Sequence, residues 1–167
     1  NYELVKKQFK EFDKAKSGEQ PSFPNQSVES DTSLLETTFT YAKAIGVDPI
    51  TAFNRIFTGQ RIRRVDSGAI IVERLSFTES QRIRAARAEG EDLDELRLDH
   101  TVPLQLGGSN SEKNLRLVPI GEWRTYTPIE NHLGRLLREG TIKKDEAQQL
   151  IADFKEGCAT AQSILDI

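Results

Sequence analysis

Residues 98 to 119 read LDHTVPLQLGGSNSEKNLRLVP. An Asp-His pair, Asp99 and His100, is followed by Pro103-Leu104, by Gly107-Gly108 and by Asn114-Leu115. The two glycines permit positive φ in a connecting loop, and Asn110 can turn the chain by bonding its own backbone. If Leu98 to His100 is a regular strand, successive side chains alternate, so Asp99 and His100 face opposite ways. For both to reach one reacting group, the backbone has to bend locally.

These elements at this spacing resemble the core of the HNH (ββα-metal) endonuclease family, in its variant with Asp-His, Pro-Leu, Gly-Gly and Asn-Leu. The resemblance covers at most about a third of the chain. It extends weakly through Glu130 and the segment DEAQQLIADF, and everything before Leu96 lies outside it. The resemblance implies a strand carrying Asp-His, a loop that turns back, a second strand, and a helix across the pair, together holding one divalent metal ion. The expected fold class is α+β, mainly helical, with an HNH-type ββα-metal core and an additional β-hairpin. The expected activity is metal-dependent hydrolysis of phosphodiester bonds, in DNA first.

The chemistry accounts for the residue types independently. Phosphodiester hydrolysis needs a nucleophilic water, a base for its proton, and a cation where charge builds on phosphate and leaving oxygen. A neutral imidazole suits the base, which assigns that role to His100. Asp99 is a hard oxygen ligand suited to Mg²⁺ or Mn²⁺, and the neutral carbonyl of Asn114 is a reasonable second ligand. Zn²⁺ or Ni²⁺ are further candidates. The family pattern also places a His or Asn on the following helix, where Asn131 and His132 stand beside Glu130. His132 is therefore a further candidate ligand, and Glu130 reads as an orienting or packing residue. Arg97, Lys113 and Arg116 flank the motif and are candidate phosphate contacts. Trp123 and Tyr126 fit core or edge packing better than base stacking.

Outside the motif, 167 residues suit one domain, or one domain with a helical extension. No apolar run approaches the roughly 18 residues of a membrane span, and the first residues lack the apolar stretch of a secretory signal. These features predict a protein that is not secreted by its own signal and is cytoplasmic, and the HNH resemblance implies, as an alternative, a phage-associated setting within a bacterial host. The chain begins at Asn1 and has no methionine, which predicts a piece of a longer protein. Its single cysteine, Cys158, allows neither an internal disulfide nor a cysteine-based zinc site.

The net charge of −3 argues mildly against a protein that coats nucleic acid. Yet between Arg55 and Arg87 eight arginines stand against three acids, a local excess of five positive charges. Arg61, Arg63 and Arg64 are candidate nucleic-acid contacts there, weighed evenly against a solvated hairpin face. The acidic stretch Glu89 to Glu95 reads as a solvated loop.

Three segments are expected: an N-terminal helix and arm (1–33), a helical segment with the basic hairpin (34–95), and the HNH-like core with C-terminal helices (96–167). Tyr2 to Lys16 has helical spacing, and Gly18 to Ser33 reads as a linker or extended arm. Asp31, Thr32 and Ser33 are candidate caps for a helix stopping at Gly46, and Asp48-Pro49 opens another, ending near Phe57. Arg61 to Val65 and Ala69 to Leu75 predict a hairpin around Asp66-Ser67-Gly68, after which Ser76 or Thr78 caps a helix to Ala88. Gly121 to Arg138 predicts a helix broken at Thr127-Pro128 and ending at Gly140, and Asp145 to Ala161 a last one.

Two other readings stay open. One is a degenerate HNH fold that binds nucleic acid or a protein partner within a larger assembly, such as a phage or mobile-element protein, without cutting. The other is an RNase acting as a toxin.

Overall fold

The computed structural model describes residues 27–91 and 94–167. They form two compact units, one ending at Leu96 and the other spanning Arg97–Ile167. The helix expected over Tyr2 to Lys16 and most of the expected arm lie outside the described residues. The class is mixed α+β, mainly helical, with one three-stranded antiparallel sheet and one two-stranded sheet.

In the first unit, β1 (Ser27–Glu29) pairs antiparallel with β3 (Ile70–Arg74), which also pairs with β2 (Gln60–Arg64). The arm expected to run to Ser33 therefore ends in a strand. Its last extended residue, Ser30, caps α1 (Asp31–Ile45) by accepting from Ser33 N at 3.1 Å. The cap lies one residue ahead of the expected candidates, because Ser30 still has extended backbone and its hydroxyl reaches the N3 amide. Gly46, at φ 70°, closes the helix. Asp48 caps α2 (Pro49–Ile56), accepting from the Thr51 amide at 3.0 Å and its hydroxyl at 2.6 Å. Those bonds hold the Asp48 carboxyl below its ordinary pKa. Ser76 caps α3 (Phe77–Ala88).

Alternation in the hairpin puts Ile62 opposite Val72, both buried, and Arg61 opposite Glu73 on the other face. Leu34, Phe39, Ala42, Ala52, Phe53 and Ile56 are buried on α1 and α2, which pack on one another.

In the second unit, β4 (Leu96–His100) and β5 (Leu115–Pro119) form a two-stranded sheet. The link between them holds two 3₁₀ turns, Leu104–Leu106 and Glu112–Asn114. Helix α4 (Ile120–Arg138) leaves β5 directly, followed by α5 (Lys144–Lys155) and α6 (Ala161–Leu165). Leu106, Ile129, Leu133, Leu136, Ile142, Ala147, Ile151 and Ile164 make one buried cluster.

Two expectations are corrected here. Helix α4 is continuous through Pro128. The apolar face formed by Ile129, Leu133 and Leu136 is anchored in the cluster, and that packing outweighs the missing amide donor. The single last helix is two: Gly157, at φ 80°, stops α5, and Thr160 caps α6 by accepting from Ser163 N at 3.1 Å. Among the described residues no helix is long and apolar enough to cross a membrane.

Candidate functional site

The link between β4 and β5 is shaped by one amide. Asn114 Oδ1 accepts from Val102 N at 2.9 Å, and its Nδ2 donates to Val102 O at 2.8 Å and Ser109 O at 2.7 Å. Three bonds from one side chain staple both ends of the loop that carries Gly107 and Gly108. The two glycines serve different needs. Gly107 takes φ 86°, as expected, whereas Gly108 does not have positive φ and is required by close approach. A Cβ there would lie 1.7 Å from Val102 O and 2.9 Å from Asn114 Nδ2.

With the loop so held, Asn110 reaches back to His100, whose Nε2 is 2.7 Å from Asn110 Oδ1. An amide oxygen only accepts, so Nε2 carries a proton and, in the neutral ring, Nδ1 keeps the lone pair. His100 is half-buried at the end of β4, while Asp99, the residue before it, is 6% exposed.

Asp99 faces a lysine. Lys155, the last residue of α5, has no side-chain exposure. Its Nζ donates to Asp99 Oδ2 at 2.9 Å and His100 O at 2.6 Å, and lies 3.0 Å from Glu130 Oε1. The ammonium sits 4.7 Å from the Tyr126 ring centroid. Arg116 completes the group: its Nε is 3.8 Å from Asp99 Oδ2, and its Nη2 is 3.4 Å from the Tyr126 hydroxyl, which donates to Glu122 Oε2 at 3.3 Å. Burial raises the Glu130 pKa above its ordinary value, with Lys155 opposing it. Burial likewise raises that of Tyr126.

The metal ligands named from the sequence do not assemble. The Asn114 carbonyl is turned onto Val102, and Asp99 already holds an ammonium. His132 is turned elsewhere: Nε2 is 3.1 Å from Ile164 O at α6, and Nδ1 is 2.8 Å from Arg135 Nη2. Among the described residues no three His, Cys, Asp or Glu side chains are grouped to hold a metal ion. The donor set therefore does not fit a divalent ion bound through Asp99, Asn114 and His132.

The candidate phosphate contacts divide. Lys113 is exposed, Arg116 is half-buried beside Tyr126, and Arg97 is half-buried on β4. Arg61 and Arg63 both bond Glu73, each with Nη2 at 2.8 Å, and Arg64 forks onto Asp31 at 3.0 and 2.9 Å. All three hairpin arginines are thus ion-paired within the first unit, which favours the solvated-face reading over the phosphate one. Glu95, expected in a solvated loop, is buried and paired with Arg87. Tyr126 is buried, in keeping with packing, whereas Trp123 is exposed at 37%.

Sequence reasoning missed Lys155 and the orienting role of Asn110. A signal for the lysine existed: Ala147, Ile151 and Lys155 are spaced by four, and all three are buried on α5. A lysine on an apolar helix stripe calls for a buried acid.

No family model, no curated protein and no solved structure matches this chain.

Proposed function

We propose that residues 96–167 are an HNH-like nuclease module that hydrolyses phosphodiester bonds, with DNA as the first substrate and His100 as the base. The observation that supports this reading above the others is the 2.7 Å bond from His100 Nε2 to Asn110 Oδ1. It orients the ring and leaves Nδ1 as the proton acceptor, the arrangement a general base needs. Water gives its proton to Nδ1 as its oxygen attacks phosphorus, the bond from phosphorus to the leaving sugar oxygen breaks, and that oxygen takes a proton from solvent. Asn110 Oδ1 continues to accept from Nε2 while the ring is charged. Arg116 and Lys113 are the cations placed nearest the motif in sequence to meet phosphate.

A specific observation favours the second reading, a degenerate HNH fold that binds without cutting: Asp99 and Asn114 are both engaged by the protein itself. The two separate in plasmid nicking by the full chain with Mg²⁺, Mn²⁺ or EDTA, run beside His100→Ala. The nuclease reading expects cleavage that falls by about 10²–10⁴-fold in the variant. No cleavage by either protein, with far-UV circular dichroism unchanged, transfers the assignment to the binding role. An RNA substrate run in parallel tests the toxin-RNase reading.

A further inference from the structure

We infer that the ammonium of Lys155 is the resident cation of this site, so that Asp99 and Glu130 hold α5 against the His100 end of β4 and no divalent metal ion binds through Asp99. The inference rests on the reading of residues 98–119 as the reaction site and names the cation that serves it.

An ammonium has three donors. Those of Lys155 meet three oxygens, Asp99 Oδ2 at 2.9 Å, His100 O at 2.6 Å and Glu130 Oε1 at 3.0 Å. The Tyr126 ring, 4.7 Å away, lines a fourth side, and the side chain has no exposure. Nothing about the ammonium is left for solvent. Two carboxylates, Asp99 and Glu130, face two cations, Lys155 and Arg116, whose Nε is 3.8 Å from Asp99, and a third acid, Glu122, stands behind the Tyr126 hydroxyl. A Mg²⁺ ion requires oxygens at about 2.0–2.1 Å in near-octahedral array. To take Asp99 Oδ2 it would displace the ammonium and leave a buried positive charge beside a divalent one, which the low local dielectric penalises heavily.

Lys155 is accordingly a positioning residue. It bonds the carbonyl of His100, and so fixes the backbone from which the imidazole projects. Its distance in sequence from Asp99 makes it the tie between α5 and the strand end.

The test is Mn²⁺ binding to the full chain, read by electron paramagnetic resonance of the free ion and by broadening of backbone amide signals in NMR. Asp99→Asn keeps an oxygen for Lys155, so it should change the Mn²⁺ dissociation constant by less than about twofold. In the wild-type protein Mn²⁺ should not selectively broaden the amides of residues 98–101. A loss of affinity of about tenfold or more in Asp99→Asn, or selective broadening of those amides, would overturn the inference. The broadening needs no variant, so the inference stays open to refutation even if Asp99→Asn does not fold. Because both readouts are ion binding rather than cleavage, the inference and the nuclease reading can fail separately.

Discussion

Asn110 and Asn114 stand four residues apart and use the same amide for different ends. Asn114 makes three bonds to backbone groups of the loop, and Asn110 makes one, to the His100 ring. Replacing Asn114 by Ala leaves Val102 N and two carbonyls without their partner, a loss of about 2–3 kcal/mol at roughly 1 kcal/mol per bond. Asn110 is exposed, so Asn110→Ala should cost under about 1 kcal/mol, yet it frees the imidazole and should lower cleavage about tenfold or more. Thermal unfolding by circular dichroism and plasmid nicking on both variants check the division. Equal destabilisation by the two, with cleavage intact in Asn110→Ala, would end it. The pairing of residue type with role marks the limit of sequence here. Asn114 stood out by its place after Gly-Gly, but a carboxamide can face a metal or a backbone with equal ease, and only the path of the loop decides. Lys155 was hidden for another reason: a lysine at the end of a helix is favoured by the helix dipole wherever it points.

At the level of elements, helices and strands with a local cause were readable. The Asp48-Pro49 start, the Ser76 cap and the Gly68 turn all depend on neighbours in sequence. What failed depended on distant partners. Strand β1 exists because β3 offers it an edge, and α4 runs through Pro128 because the cluster holds its apolar face. If packing does override the proline, restoring the amide donor should stabilise the helix. Pro128 is exposed, so Pro128→Ala has no core contact to lose and should gain about 1–3 kcal/mol. A urea midpoint unchanged or lowered in that variant would mean that the proline is accommodated without strain. The hairpin supplies a pH test. Hydrogen bonding by Arg63, with Arg61 adding to it, holds the Glu73 carboxyl below its ordinary value of 4.5. The ionised form is favoured in the fold, so its contribution is present above that value and fades as pH falls through the lower folded one. Glu73→Gln should therefore lower stability by about 1–2 kcal/mol near neutrality, and the gap from wild type should close in acid. A gap that stays constant with pH would show that Glu73 contributes through packing alone.

Over the whole molecule, the net charge of −3 and the arginine excess between Arg55 and Arg87 pull in opposite directions. Ion pairing resolves part of the conflict. Arg61, Arg63 and Arg64 are ion-paired with Glu73 and Asp31, Glu73 being shared by two of them, so the three arginines offer a phosphate backbone about one unbalanced charge. Lys113 stands differently, exposed next to the residue that staples the loop, and the adjoining strand carries Arg116. Counterion release turns this difference into a slope: each phosphate neutralised contributes about −0.9 to the change of log K with log salt on duplex DNA. With the three hairpin arginines changed to Gln, the slope for binding a fluorescent duplex should stay within about one unit of wild type. Lys113→Gln should flatten it by about one unit. Anisotropy titrations over a series of KCl concentrations measure both. A flatter slope in the triple variant, with Lys113→Gln unchanged, would move the proposed nucleic-acid contact onto the hairpin and require its ion pairs to open on binding.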